Sequence, residues 1–423
     1  MTTEIAILNG QAVALAADSA ATAGGVYKVY PKANKIFALS RLHPVGIMVW
    51  NSSAFMGLPW ETVIKLYRER LGDKSFPTLP EYMADFVAFL LEDARIAPSD
   101  RRDAFVSALI RERLQVVYNA LRQAVDQRLA ADPTPIQPNE FEAMAVTVVR
   151  DLNVDKASLI ADAWTAADIE KAHGKALQGA IAEMFGELPL GSAAKDIATL
   201  TCETIVRQID SESFAGVVVA GFGVEDVFPL LVEREIDGIV DGRVRCWERG
   251  RHSVADMGPG IVPFAQRDMI EVFVQGVSSD YQAEVESLVR RIVDSYPSMV
   301  LDSADSLAAT PRKAVEAAQA SIKDRYIQES LAGLGEWRYT HYVEEVMSIV
   351  ETLPKEDLAE LAEALVSLTS LRRRMTRGQE TVGGPIDVAV ISKGDGLIWI
   401  KRKHYFDPLL NPQYMSTKFG RAL

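Results

Sequence analysis

Cysteine and histidine are scarce in this sequence of 423 residues, which contains 2 Cys and 5 His. Cys202 and Cys246 lie far apart without a C-x-x-C pattern, so we expect two reduced thiols and no disulfide framework. The histidines are scattered, and neither an H-E-x-x-H pattern nor a G-x-x-x-x-G-K-[ST] phosphate-binding loop is present. The sequence therefore predicts no metal site, no cofactor and no ATP-binding site of its own.

Positive charge and long apolar runs are also lacking. There are 45 Lys and Arg against 58 Asp and Glu, and the resulting net charge of −13 would repel the phosphates of a nucleic acid. No apolar run approaches the ~18 residues of a membrane span, and Met1-Thr2-Thr3-Glu4 does not resemble a signal peptide. With 48% hydrophobic and 24% charged residues, the composition is that of a globular protein. We expect a cytoplasmic protein with neither nucleic acid nor membrane as a partner.

Short apolar runs between residues 4 and 50 predict several strands, the first two joined by a tight turn at Asn9-Gly10. From Pro59 the apolar spacing becomes helical and predicts one helix up to Gly72 and another over 80–91. The stretch 93–212 is helical throughout. A second set of strands is predicted from Phe214 onward, with 227–232 and 236–240 as separate strands.

A second helical stretch follows over 277–353, and Pro354 begins a further helix. The end of the chain predicts a hairpin that turns at Lys393-Gly-Asp-Gly396. Short connections favour antiparallel strands, so the class is α+β rather than a doubly wound parallel sheet. The predicted organisation is a core in three parts, 1–92, 213–276 and 354–423, interrupted by helical insertions over 93–212 and 277–353.

Thr2 follows the initiator methionine, whose removal would leave its amine free. An amino-terminal threonine can act as a nucleophile with its own amine as the base, because an α-amino group has a pKa of about 7.7–8.0. Such chemistry needs a buried cation, a carboxylate that holds this cation, and backbone N–H groups for the oxyanion. Taken alone, a Met-Thr start has no meaning.

Three segments near the start carry a resemblance to a known family. They are Thr2-Thr3-x-Ile5-Ala6, then Ala16-Ala17-Asp18-Ser19-Ala20-Ala21-Thr22-Ala23-Gly24, then Asn34-Lys35-Ile36-Phe37. Together they resemble the proteasome β-subunits and the bacterial peptidase HslV, which are N-terminal-nucleophile (Ntn) hydrolases. The resemblance implies that Thr2 is the nucleophile, that Lys35 is the cation and that Asp18 holds it.

Further positions take their roles from the same resemblance. Val45 to Phe55 is similar to the strand and turn that supply the oxyanion N–H, which would belong to Asn51. Ser19 and Thr22 would bond a substrate backbone, although plain turn chemistry explains them equally well. Val49 and Ala21 would line the pocket for the residue before the cleaved bond.

The later blocks match less specifically. Met257-Gly-Pro-Gly260 resembles the glycine turn before the third family helix, and Gly383-Gly384 resembles the pair before the last strands. Pro259 and Val382 stand where the family usually has serines that bond the threonine amine. Glu380 or Thr381 would then substitute for these missing hydrogen-bonding groups near the threonine amine.

The fold implied by the resemblance is a four-layer αββα sandwich with the two helical insertions. The implied activity is hydrolysis of peptide or amide bonds through an acyl-enzyme. The implied partners are a peptide or protein substrate, further copies of the chain in an oligomer such as a ring, and a separate ATP-dependent unfoldase. Pro259 and Val382 favour one alternative, an inactive scaffold or sensing protein. A small-molecule amidase on the same fold is another.

Overall fold

The computed structural model describes residues 3–22, 29–30, 33–154, 157–161, 163–208, 214–303, 312–375, 383–404, 406–413 and 416. These residues form helices and antiparallel sheets, which confirms the predicted α+β class. Thr2, Glu380 and Thr381, three predicted site residues, lie outside the described residues.

Fourteen strands are described. They are β1 Thr3–Leu8, β2 Ala12–Ala17, β3 Ala21–Thr22, β4 Val29–Tyr30, β5 Ile36–Ala38, β6 Val45–Asn51, β7 Ala54–Phe55, β8 Leu58–Pro59, β9 Ala215–Gly221, β10 Leu230–Val240, β11 Arg243–Ser253, β12 Gly260–Ala265, β13 Asp387–Ser392 and β14 Gly396–Lys401.

Twelve α-helices are described. They are α1 Trp60–Leu71, α2 Leu79–Glu92, α3 Ser99–Ala131, α4 Pro138–Asp151, α5 Ala166–Phe185, α6 Ala193–Val206, α7 Val254–Met257, α8 Asp268–Gln275, α9 Ser279–Ser303, α10 Arg312–Arg338, α11 Glu344–Thr352 and α12 Lys355–Met375. A π-helical turn, Tyr339–Val343, joins α10 to α11. None of the described helices is long and apolar enough to span a membrane.

The chain forms two compact units. The first unit comprises Met1–Trp50, Ala220–Leu231 and His252–Leu423, and the second comprises Asn51–Val219 and Val232–Arg251. Both units draw on segments that are distant in sequence.

The first unit contains a five-stranded sheet in the order β12-β1-β2-β13-β14. β1 pairs antiparallel with β2 and β12, and β13 pairs antiparallel with β2 and with β14. The predicted hairpin at Lys393 to Gly396 is confirmed, since it joins β13 to β14. This sheet therefore unites the start and the end of the described chain.

The turn between β1 and β2 differs from the prediction. Asn9 does not adopt the positive φ of an Asn-Gly turn; instead, its buried side chain accepts hydrogen bonds from the N–H groups of Gln11 and Ala12. Its amide also donates to the carbonyls of Val350 and Leu353. The side chain itself organises this turn, as Asn commonly does.

One face of this sheet is covered by helices. Odd-numbered residues of β1 and even-numbered residues of β2 point to the same side, because successive strand residues alternate. They pack with α8, α11 and α12 in one hydrophobic cluster, whose members include Ile5, Ile7, Ala14, Ala16, Ile270, Val350, Leu358, Ala362 and Val366. The predicted helix after Pro354 thus covers the sheet.

The opposite face contacts β6, a strand of a second five-stranded sheet whose order is β11-β10-β9-β6-β5. Gly46 of β6 lies close to the first sheet. A Cβ at this position would lie 2.7 Å from Ile391 Cδ1 and 3.1 Å from Leu397 Cδ1, so glycine permits the two sheets to meet. Within the first unit, the sheet therefore lies between the helices on one face and β6 on the other.

The second unit begins with the two helices predicted after Pro59. Tyr67 of α1 contacts Phe86 and Phe89 of α2, with ring centroids 5.1 and 5.4 Å apart. The segment predicted as the first helical insertion carries α3 to α6, which share a core around Leu114, Trp164 and Ile197. In place of the two strands predicted over 227–240, β10 is continuous, because Glu233 and Glu235 are buried strand residues rather than turn residues.

The second predicted helical stretch is also confirmed, as α9, α10 and α11. Its first helix keeps several large apolar side chains exposed: Tyr281, Leu288, Ile292, Tyr296 and Met299. These side chains of α9 are therefore not part of a buried core.

Candidate active site

The strand pairing in the first unit brings Asp18 and Lys35 together. β1 and β2 run antiparallel, so Asp18 at the end of β2 lies beside Thr3 at the start of β1. Lys35 immediately precedes β5, and its carbonyl accepts a hydrogen bond from Val49 N at 2.9 Å. The Lys35 ammonium lies 2.5 Å from Asp18 Oδ1, and both side chains are almost completely buried. The carboxylate and cation predicted from the resemblance are thus adjacent.

The Asp18 carboxylate is fully engaged by hydrogen-bond donors. Oδ1 accepts from Thr3 N at 3.0 Å and from Lys35 Nζ at 2.5 Å. Oδ2 accepts from Gly383 N at 2.9 Å and from Ala20 N at 3.3 Å. A carboxylate with donors on both oxygens is held in one orientation. Asp18 therefore fixes the position of Lys35 relative to the start of β1.

Glu4 is a member of this cluster that sequence reasoning missed. Its Oε1 lies 3.0 Å from Lys35 Nζ, and its side chain is completely buried. Glu4 directly precedes the apolar run Ile5 to Leu8 in the β1 sequence, Thr3-Glu-Ile-Ala-Ile-Leu8. Because Glu is almost never fully buried unless paired, an acidic residue in such a strand is a signal that could have identified it.

Lys35 retains hydrogen-bonding capacity beyond its two carboxylate partners. An ammonium has three N–H donors; one donates to Asp18 Oδ1, and Glu4 forms an ion pair with the same ammonium at 3.0 Å. Among the described residues, no other acceptor is found for the third. This N–H is available to an oxygen atom at the cluster.

Ser19 and the paired glycines link the cluster to the last part of the chain. Ser19 N donates to Gly383 O at 3.3 Å, and Ser19 Oγ donates to Pro385 O at 2.5 Å. Ser19 O accepts a hydrogen bond from Ala33 N. The backbone and hydroxyl of Ser19, predicted to bond a substrate, are thus engaged in joining three segments of the chain. Gly383 N donates to Asp18 Oδ2 at 2.9 Å.

Asn51, the predicted oxyanion residue, is exposed and has a left-handed backbone with φ 68°. Asn is one of the few non-glycine residues that tolerate this conformation. Its side-chain amide donates to Phe214 O at 2.8 Å, within the second unit. This hydrogen bond holds the end of β6.

The other predicted substrate-binding residues are on two strands. Val49 is a buried residue of β6. Ala21 and Thr22 form β3, which pairs with β4 through Ala21↔Tyr30 and Thr22↔Val29, but their side chains are outside the described part of the structure. Substrate-binding roles for these residues stay predictions.

The turn over Met257 to Gly260 is not beside the cluster. β12 pairs with β1 in a register that places Gly260 opposite Leu8 and Ala265 opposite Thr3. Five strand intervals of about 3.3 Å, roughly 17 Å, therefore separate this turn from the Thr3 end. The interpretation of Pro259 as a replaced serine next to the threonine amine was wrong, because strand register, not the glycine pattern, decides which residues are adjacent.

The segment that does follow the Thr3 end of β12 is Ala265-Gln266-Arg267, directly before α8. Ala265 has a positive φ of 59°. Gln266 is buried; its Oε1 accepts from Arg373 Nε at 2.6 Å, and its Nε2 has no hydrogen-bond partner among the described residues. Nothing in the sequence pointed to this turn, because the residue with the positive φ is Ala265 and the turn contains no glycine.

Within the described residues, no group of three or more His, Cys, Asp or Glu side chains is arranged to hold a metal ion. Both cysteines are free thiols, and burial raises the pKa of the Cys202 thiol to about 11. The side chains of Glu4, Asp18 and Lys35 form a buried cluster of charged groups in the described part of the chain.

Comparison with known proteins adds no assignment: no protein-family model matches the sequence, and no curated protein does.

Proposed function

We propose that the chain is an Ntn hydrolase that cleaves peptide or amide bonds with Thr2 as the nucleophile, on a four-layer αββα sandwich. The observation that carries this proposal is the shared Asp18 Oδ1 atom, which accepts hydrogen bonds from both Lys35 Nζ and Thr3 N. Because Thr2 is covalently joined to Thr3 N, Asp18 links the candidate nucleophile to the candidate cation. The helices on one face of the first sheet and the contact of β6 with its other face support this proposed fold.

In the proposed reaction, Thr2 Oγ attacks the substrate carbonyl carbon while the Thr2 amine accepts the hydroxyl proton. The third Lys35 N–H stabilises the developing alkoxide, and Asp18 keeps Lys35 charged and oriented. The amine then passes its proton to the leaving nitrogen as the C–N bond breaks. Water attacks the resulting ester and releases the acid, which regenerates Thr2.

Asn51 is the proposed donor to the oxyanion. Its left-handed backbone and exposure are properties expected of a residue whose N–H points away from regular strand pairing. The hydrogen bond from its side chain to Phe214 O supports this conformation without a glycine.

Pro259 lies next to the Leu8 end of β1, far from Thr3. It is therefore no longer a reason for the inactive-scaffold alternative. Val382, the other reason, lies outside the described residues. The buried pair of Asp18 and Lys35 favours catalysis, because two charged groups are costly to bury without a function or compensation. We therefore place hydrolysis ahead of the scaffold role.

The proposed substrate is a peptide or protein in the cytoplasm, and the proposed assembly is a homo-oligomer such as a ring. A separate ATP-dependent unfoldase would supply unfolded chains. A small-molecule amidase differs only in its substrate, so the same Thr2 chemistry would act on acylated metabolites.

The test compares wild type, Thr2→Ala and Thr3→Ala on fluorogenic peptides and on acylated metabolites, with intact mass measured first. We expect a wild-type chain that begins at Thr2, and a Thr2→Ala variant reduced by about a thousandfold or more in kcat. Thr3→Ala is the matched control, because Thr3 Oγ1 has no hydrogen-bond partner among the described residues. A Thr2→Ala variant with full activity, or a wild type that retains Met1 and yet cleaves, would contradict the mechanism.

A further inference from the structure

The second unit contains two buried arginines, one on α3 and one on β11. Arg113 stands in the apolar stripe of α3, between Ile110 and Leu114, and its side chain is only 8% exposed. Arg245 lies on β11 and is completely buried. Because Arg is almost never buried to this extent unless it is paired, both guanidinium groups need acceptors for their N–H groups.

Packing and charge place the two arginines in one group. α3 lies directly against β10, since a Cβ at Gly238 would be 2.3 Å from Phe105 Cε1. Burial lowers the pKa of the Arg113 guanidinium, and the charges of Arg245 and Asp237 act on it as well, the first lowering and the second raising it. Such effects require charges that lie close together. Arg113, Arg245 and Asp237 therefore form one buried group of charges.

The hydrogen bonds within this group leave many donors unused. Arg245 Nε donates to both oxygens of Asp237, at 2.9 and 3.1 Å. Nη1 and Nη2 of Arg245, and Nε and Nη2 of Arg113, are buried and have no hydrogen-bond partner among the described residues. Arg245 thus has four unused N–H groups and Arg113 has three. Buried donors without a partner are costly and commonly indicate a bound water or ion.

The ion pairs of this group are also incomplete. Both guanidinium groups stay protonated, because the pKa of Arg lies far above neutral pH. In the described part of the chain, Asp237 is the one carboxylate that forms an ion pair with either of them. Glu112, the neighbour of Arg113 on α3, is half-buried and its charge raises the pKa of Arg113, but it makes no hydrogen bond to Arg113. One guanidinium therefore lacks an ion-pair partner.

We propose that Arg113 and Arg245 form a binding site for a phosphate group in the second unit, with Asp237 orienting Arg245. A carboxylate has two oxygens with about four lone-pair sites, fewer than the unused N–H groups of the two arginines. A phosphate offers more oxygens and matches the planar guanidinium fork. Arg113 retains some exposure, so the ligand would enter from its side.

Two consequences distinguish this site from a purely structural role of the arginines. Phosphate that binds only the folded chain raises the Tm with increasing phosphate concentration, whereas sodium chloride at the same ionic strength does not. Arg113→Gln removes a buried charge that has no ion-pair partner, so without phosphate this variant should be at least as stable as wild type. Its affinity for phosphate should nevertheless fall by about tenfold or more, because charge-assisted hydrogen bonds are lost.

The experiment uses the full chain and measures calorimetric titration and thermal unfolding with inorganic phosphate, phenyl phosphate and acetate at constant ionic strength. The variants are Arg113→Gln and Arg113→Lys. The matched control is Arg111→Gln, which removes an exposed arginine of the same helix that pairs with Glu183 at 3.5 Å. We expect wild type and the control to bind phosphate equally well. Arg113→Lys should be intermediate, because Lys keeps the charge and loses the fork.

The probes also identify the source of the phosphate group. Binding of phenyl phosphate together with inorganic phosphate upholds the proposal for a phosphorylated small molecule, and binding of inorganic phosphate alone upholds it for the free ion. The proposal is overturned if wild type does not bind millimolar phosphate, if acetate binds as tightly, or if Arg113→Gln keeps the wild-type affinity. Should Arg113→Gln fail to fold, an undiminished affinity of Arg113→Lys overturns it. Neither measurement requires hydrolytic activity.

Discussion

At the scale of single residues, Asp18 joins several segments of the first unit that are distant in sequence. Its carboxylate receives the backbone of Thr3 and Ala20, the backbone of Gly383 and the Lys35 ammonium. An amide could not accept all four donors, because one of its two terminal atoms is itself a donor. Asp18 therefore has a structural role as well as the proposed catalytic one.

We predict that Asp18→Asn lowers the free energy of unfolding by about 3 kcal/mol, because a buried Lys35 loses a charged partner and buried N–H donors lose an acceptor. Glu4 keeps Lys35 partly paired, so the protein should still fold. Urea unfolding measures the change. Asp395→Asn, at an exposed ion pair with Lys355, should have little effect; equal effects in the two variants would contradict the prediction.

Cys202 gives a prediction about reactivity. Its pKa is raised to about 11 by burial, so at pH 8 far less thiolate is present than for a free cysteine with a pKa of about 8.5. We expect iodoacetamide to alkylate Cys202 in the folded protein roughly a hundredfold or more slowly than in urea. Mass spectrometry of the labelled peptide measures both rates, and comparable rates in the two states would refute the prediction.

The residue scale also shows where sequence reasoning succeeded and where it failed. Asp18 and Lys35 could be predicted as a pair because residue type and spacing agree with a known family. Glu4 was missed, and Pro259 was misplaced, because neither burial nor strand register is visible in a motif. Gln266 had no sequence signal at all, since its position depends on how β12 pairs with β1.

At the scale of elements, the turn between β1 and β2 is fastened to the end of α11 through Asn9. We predict that Asn9→Ala destabilises the protein by about 2 kcal/mol or more, because two backbone N–H groups and two helix-terminal carbonyls lose a partner. Gln11→Ala, on the exposed side of the same turn, is the matched control for thermal or urea unfolding. A loss no larger than that of the control would show that water replaces these bonds.

The contact between the two sheets gives a second prediction at this scale. Gly46→Ala introduces a Cβ 2.7 Å from Ile391 Cδ1, so we expect a loss of about 1–3 kcal/mol from overpacking. Gly394→Ala is the control, because a Cβ there has open space around it. If both substitutions leave the urea midpoint unchanged, the sheets are less closely packed at Gly46 than described.

Helix periodicity was the most reliable sequence signal among the elements. The ends of α1 and α2 agree with the predictions to within about a residue because apolar spacing and glycine or proline boundaries coincide. The prediction failed at β10, which runs continuously through Glu233-Arg-Glu235, the residues left between the two predicted strands. Buried charges in a strand depend on partners from elsewhere in the fold, and local sequence does not identify those partners.

At the scale of the whole molecule, the proposed function implies association of several copies. We predict that light scattering of the full chain gives a mass several times that of a single chain. The exposed apolar side chains of α9 agree with such association, because large exposed apolar patches commonly mark interaction sites. A single-chain mass across the micromolar range, with peptidase activity intact, would show that the proposed assembly is unnecessary.

The sequence by itself determined the α+β class and the order of helical and strand segments, because these follow from local periodicity; the pairing of Asp18 with Lys35 was an expectation from the resemblance to a known family. Only the tertiary structure decided that Glu4 joins this pair and that Gly260 lies at the far end of β1. The physical reason is that strand register and burial arise from contacts between distant segments. A shift of one residue in register would turn every side chain of β1 to the opposite face of its sheet.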